Sequence, residues 1–174
     1  DPKVVAIGEI GYDFHWDTTT RQEQEEAFIR QIELAKKYNK PIIIHCRDAI
    51  GACLETLKKT NAKEIGGVMH SFSGSIESAK EFIKLNFFIG LGGPVTFKNA
   101  KEPKVVASLV DINYLLTETD SPYLTPHPYR GTQNSPKYIP LIVDIICSLR
   151  GITKELLEKQ VEQNVERLFK IEVK

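Results

Sequence analysis

What most constrains this chain is a regular alternation of short apolar, β-prone runs with stretches of helical periodicity. The runs are VVAIGEI, PIIIHC, IGGVMHS, NFFIGLGG and NYLLTETD, each about strand length, and each but the first follows a helical pattern. The first helix opens TTRQEQEE, where Thr20 and Glu23 have capping-box spacing, and Phe28, Ile32 and Ala35 recur behind it on one face. The second places Ile50, Cys53, Leu54 and Leu57 together, and the third Ile76, Ala79 and Ile83. A weaker helix, PKVVASLV, lies before the last strand. Two more close the chain, SPKYIPLIVDIICSLRG with Pro136 in its first turn and Gly151 as its stop, then TKELLEKQVEQNVERLF. Strand and helix in alternation with short connections predict parallel βαβ units. The strands read as continuous apolar runs, as strands buried on both faces should. Pattern alone leaves a doubly wound sheet and a (β/α) barrel open, and the absence of a glycine-rich phosphate loop weakens the first.

Composition narrows the function classes. The 174 residues carry 23 basic and 23 acidic side chains, so no net field draws the protein to nucleic acid or an anionic membrane, and any such binding must be local. Three cysteines, Cys46, Cys53 and Cys147, have neither paired nor metal-finger spacing. With no apolar run of membrane length and no signal peptide at the start, the expectation is a single reduced, cytoplasmic domain over 1–174. The chain opens DPKVVAIGEI, three residues before a strand and without Met, and is expected to be the later part of something longer.

The ends of the strands carry the chemistry. VVAIGEIGYD places Glu9 at the end of the first, PIIIHCRD places His45, GGVMHSFSG places His70, and YLLTETDSP places Asp120. In parallel α/β folds this end is the active-site face. Two imidazoles and two carboxylates form a ligand set for Zn²⁺, Mn²⁺ or similar ions. Singly each has an ordinary structural explanation, such as a hydrogen-bonded histidine or a turn aspartate. Four at equivalent positions make a shared metal site the better account.

Five blocks, AIGEIGYDFHW, PIIIHCRDA, GVMHSFSGS, GGPVTFKNAK and LLTETDSPYLTPHPYRG, resemble successive signatures of the TatD family of metal-dependent deoxyribonucleases. The resemblance runs from near residue 3 to NVERLF at 164–169. It implies a TIM-type (β/α) metallohydrolase barrel, related to the amidohydrolases, of which this chain holds about the last five βα units. It also implies two divalent ions (Mg, Mn or Zn) and hydrolysis of DNA phosphodiesters, typically from 3′ to 5′ on single strands or 3′ ends. Glu9 then matches the carboxylate bridging both ions, and His45 and His70 match the histidines of one site. Asp120 matches the ligand of the other ion, which also handles the proton of the attacking water.

There are departures. The family opens with a His-x-His pair on its first strand and two strands follow before the Glu block; none of these is here. On this mapping the site of Glu9, His45 and His70 is whole, and the other keeps Glu9 and Asp120. Tyr12 stands where the family usually has Leu, and NSP at 134–136 where NEP is common, which bears on a substrate contact near Ser135.

Arg47 and Arg130, and less strongly Ser73, are candidate substrate contacts, with a salt bridge to Asp48 the alternative for Arg47 and a turn or cap for Ser73. Glu118, two before Asp120 and on the same strand face, is a candidate acceptor for a ligand histidine. Phe14 and Trp16 are expected to pack their loop against the next helix, base stacking being the alternative, and Cys46 is expected to be core. Two other functions stand beside the nuclease. One is a related metallohydrolase of a small cyclic amide, lactone or phosphotriester; the other is a catalytically incomplete fragment that re-associates through its open sheet edges. No obligate protein partner is expected.

Overall fold

The computed structural model describes residues 1, 3–16 and 18–173. Five strands, β1 (Ile7–Asp13), β2 (Ile42–Arg47), β3 (Gly67–Met69), β4 (Phe87–Leu91) and β5 (Leu115–Thr117), form one sheet. All neighbours are parallel and the order follows the chain without reversal, β1 to β5. Such an order is that of a barrel wall; a doubly wound sheet would reverse at its switch point. β1 and β5 lie at its two edges, the open edges that the sequence predicts.

The helices are α1 (Arg21–Lys37), α2 (Ile50–Lys59), α3 (Ile76–Lys84), α4 (Lys101–Leu109), α5 (Ile139–Arg150) and α6 (Lys154–Phe169). Both halves of the Thr20–Glu23 capping box form, and Phe28, Ile32 and Ala35 are buried. α3 turns Phe82 inward together with Ile76 and Ala79, and leaves Ile83 only partly buried. α4 begins at Lys101, two residues ahead of the PKVVASLV run that predicts it. Pro136 opens a short 3₁₀ turn ahead of α5, and Gly151 ends that helix at φ 65°, a conformation glycine adopts without steric cost.

Both sheet faces are apolar. Ile42, Ile44, Met69, Phe87, Ile89 and Leu115 join the helix-side core. Val68, Phe88 and Leu116 meet Leu168 in a second cluster. Tyr12 belongs to the larger core, its ring 5.2 Å from Phe28 and its hydroxyl hydrogen-bonded to Thr56 at 2.7 Å. The change from the family's usual Leu is therefore satisfied by packing. Among the described residues no helix is long and apolar enough to cross a membrane.

The first strand requires a correction. It starts at Ile7 and runs to Asp13, so Glu9 lies within it and Asp13 takes its end. The cause is a register irregularity between Ile7, which faces Ile42, and Ile10, which faces Ile44. Bulges of this kind re-aim a side chain. Beyond it Gly11 pairs with His45 so closely that a Cβ would collide with the His45 carbonyl, and its φ of 136° suits glycine alone.

Candidate metal centre

The carboxyl end of the sheet opens into a cleft of 790 Å³. Glu9, His45, His70 and Asp120 all line it, as do Arg47 and Ser73. Arg130 is placed elsewhere, in an adjoining recess, with its guanidinium 4.0 Å from the Phe97 ring centre.

Backbone geometry brings these side chains in. Asp48 after β2, Ser71 after β3 and Asp120 after β5 have φ of 54°, 44° and 59°. Left-handed residues just past these three strands turn the chain sharply there, and aspartate tolerates the conformation better than most. The His70 N–H still donates to the Ile44 carbonyl at 2.9 Å, and the Glu118 N–H to Leu91 at 3.1 Å, so both residues remain attached to the sheet just past its strands. Buried Asn134 fastens the next loop, its side-chain amide donating to the carbonyls of Thr119 and Tyr123 at 2.7 Å each.

Two imidazoles define two halves of the site. His70, 12% exposed, donates from Nδ1 to Glu118 Oε2 at 2.8 Å and from Nε2 to Asp120 Oδ1 at 3.1 Å. Glu118 is thus the acceptor for a histidine that its spacing to Asp120 suggests, and its second oxygen accepts the Ser71 N–H, which fixes the carboxylate. The Glu118 hydrogen bond, set against burial and helped by the charges of Glu118, Glu9 and Asp120, raises His70 from 6.5 to about 9. The other half is more open. His45, 40% exposed, donates from Nε2 to Asp13 Oδ2 at 2.9 Å. Burial pushes Asp13 up, but the His45 hydrogen bond and the N–H groups of His15 and Trp16 outweigh it and leave the carboxyl below its usual value.

Glu9 stands between the two rings. Its Oε1 is 3.8 Å from His70 Nε2 and its Oε2 is 3.9 Å from His45 Nδ1. Both separations are too long for hydrogen bonds. Two donors each about 2.0–2.2 Å from a shared ion stand roughly 3–4 Å apart. Among the described residues, no three such side chains already form a metal cage; they pair with one another instead. The donor chemistry and the spacing about Glu9 nonetheless fit divalent ions.

Two positioning residues are missed by sequence reasoning. Asp13 stands in the GYD motif, but only the register after the bulge brings it to His45; Asn134 has no local signal beyond its NSP motif. Arg47 does not pair with Asp48, which goes to His15 at 3.5 Å; its guanidinium lies 5.8 Å from the Trp16 ring centre. Phe14 packs as expected, against Tyr12 and under Arg21, whereas Trp16 is 60% exposed on the cleft wall with its ring edge-to-face against His15. Cys46 packs against the core on one side and reaches the cleft on the other, so it is half-buried rather than core.

The chain is similar to known proteins over almost its whole length. The model of the TatD related DNase family matches residues 1–170. The uncharacterized metal-dependent hydrolase YabD of Bacillus subtilis is 49% identical over 97% of this chain and 66% of its own length. The 3'-5' ssDNA/RNA exonuclease TatD of Klebsiella pneumoniae is 39% identical over 99% of this chain and 68% of its own. The crystal structure of YJJV, a TatD homolog from Escherichia coli, superposes with a TM-score of 0.91 at 32% identity, covering 97% of this chain and 64% of that one. The chain thus spans just under two thirds of YabD and of YJJV. With its barrel-wall sheet and a family match over nearly every residue, it belongs to the TatD related DNase family.

Proposed function

We propose that this chain carries the catalytic face of a divalent-metal-dependent deoxyribonuclease that removes nucleotides from DNA 3′ ends. The observation that carries the reading is Glu9, with one oxygen toward each imidazole at distances that suit a shared ion and not a hydrogen bond. Relatives named as metal-dependent hydrolases, and one named as a 3'-5' exonuclease, support it.

Glu9, His45 and His70 would hold one ion, and Glu9 with Asp120 would contribute to a second. Bound there, divalent ions supply Lewis acidity toward a phosphoryl oxygen and make water more acidic. The chain's own residues do the rest. Glu118 accepts the hydrogen bond of His70 Nδ1–H and so leaves Nε2, once its own proton is lost, to face the cleft as a ligand atom. Asp13 does the equivalent for His45 from the opposite nitrogen. Asp120, held at the mouth by the Asn134 clamp on its loop, receives the proton of the attacking water. Arg47 meets the phosphate as a charged donor, and Ser73 adds a hydroxyl from the same cleft. Arg130 sits one recess away, where it would meet the strand further from the scissile bond. The three free thiols suit a cytoplasmic setting.

The test is release of nucleotides from 3′-labelled single-stranded DNA with Mg²⁺ or Mn²⁺, beside a Glu9→Ala control. Metal-dependent release that disappears in the control supports the nuclease; release that survives Glu9→Ala removes Glu9 from the mechanism. Absence of release would favour the incomplete-fragment reading.

A further inference from the structure

We infer that Trp16 and Tyr123 form a two-sided aromatic clamp that stacks on the bases of a single strand while its phosphate lies on the cleft floor. This rests on the nuclease reading and adds the subsite that would choose an unpaired, base-bearing strand.

The two residues come from opposite edges of the sheet, Trp16 from the loop after β1 and Tyr123 from the loop after β5, yet both line the cleft that holds Glu9, His45, His70 and Asp120. Both rings are unusually open for their size, Trp16 at 60% and Tyr123 at 70% exposure. Large aromatic side chains are normally among the more buried. Their backbones, by contrast, are fastened. Each stands three residues after an acid of the site and is tied back to it. The Trp16 N–H donates to Asp13 Oδ1 at 3.4 Å, and the Tyr123 N–H donates to the Asp120 carbonyl at 2.8 Å. The Asn134 amide also holds the Tyr123 carbonyl at 2.7 Å.

Exposed rings on fixed backbones lose little freedom when something flat covers them. Arg47, its guanidinium 5.8 Å from the Trp16 ring centre, adds a cation on that wall. Aromatic faces with a nearby cation are how single strands are gripped without reading their sequence. A near-neutral chain needs such local contacts, because it has no global attraction for DNA.

The sequence contains one tryptophan, so its emission reports Trp16 directly. The experiment titrates the chain, with Mg²⁺, with a short oligothymidylate made resistant at its 3′ linkages by phosphorothioate. An abasic strand of equal length is the comparison, and anisotropy of end-labelled strands gives binding independently. We expect the oligothymidylate to quench Trp16 and to bind about 5- to 100-fold more tightly than the abasic strand. Tyr123→Ala should weaken the oligothymidylate about tenfold and leave the abasic strand unchanged, with Tyr123→Phe near the parent. Binding with unchanged emission, or equal affinity for the two strands, overturns the clamp and leaves the nuclease reading intact. Failure of both strands to bind also overturns the clamp and points to a protein surface over these rings; the nuclease reading is then judged separately by nucleotide release.

Discussion

The two imidazoles of this site are equivalent in type and unlike in circumstance. His70 is nearly covered and held on both nitrogens by carboxylates, one of which is itself fixed by a backbone N–H. His45 is open to the cleft and tied by Asp13 alone at close range, with Glu9 beyond hydrogen-bond reach. In a low-dielectric setting each such bond counts for more, and losing one leaves a buried charge uncompensated. The β3–β5 half is therefore the rigid part of the site and the β1–β2 half the adjustable part. Function should depend on the two halves unequally.

The largest expected effect is at Asp120. Asp120→Asn keeps a residue that tolerates its left-handed backbone but cannot take a proton, and nucleotide release should fall about 10²- to 10⁴-fold. Next come the two orienting carboxylates. Glu118→Gln should lower metal affinity about 10- to 100-fold, whereas Asp13→Asn should stay near the lower end of that range, because His45 is the more exposed ring. Equal losses, measured by metal titration, would break the comparison.

A third prediction concerns the metal-free chain. His70, ordinarily 6.5, is held at about 9, so the folded state binds its proton more tightly than the unfolded state. The stabilisation is complete below pH 6.5, shrinks as the pH rises, and is lost above about 9; it amounts to about 3 kcal/mol at most. Urea unfolding in chelator across this window should show the decline, and Glu118→Gln should flatten it. Asp13 has the opposite sign, its contribution being full above pH 3.8 and lost as the pH falls through its lower folded value. The smallest effects belong to the substrate side. Arg47→Ala should raise KM about tenfold and Ser73→Ala about fivefold or less, with kcat nearly unchanged in steady-state assays.

Much of this was legible in the sequence, and the rest failed for identifiable reasons. His45, His70 and Asp120 follow apolar runs, so chain direction alone sends them to the active face. Glu118 could be read from its two-residue spacing to Asp120. Glu9 reads as a strand end like the others, but its mid-strand place depends on a bulge that apolar patterning does not show. Asp13 and Asn134 act through contacts set by register and by a long loop, with partners up to 32 residues away. Trp16 was expected against the following helix; aromatic character predicts burial on average and carries no information about which loop faces a cleft.

The shared-ion role of Glu9 is tested most directly by calorimetric titration of the metal-free chain with Mn²⁺ at neutral pH in buffers of different ionisation heat, with Glu9→Gln alongside. One well-bound ion per chain is expected, with release of about one proton as His70 gives up its charge and loss of that binding in Glu9→Gln. Absence of binding, or binding that neither releases a proton nor depends on Glu9, would contradict it.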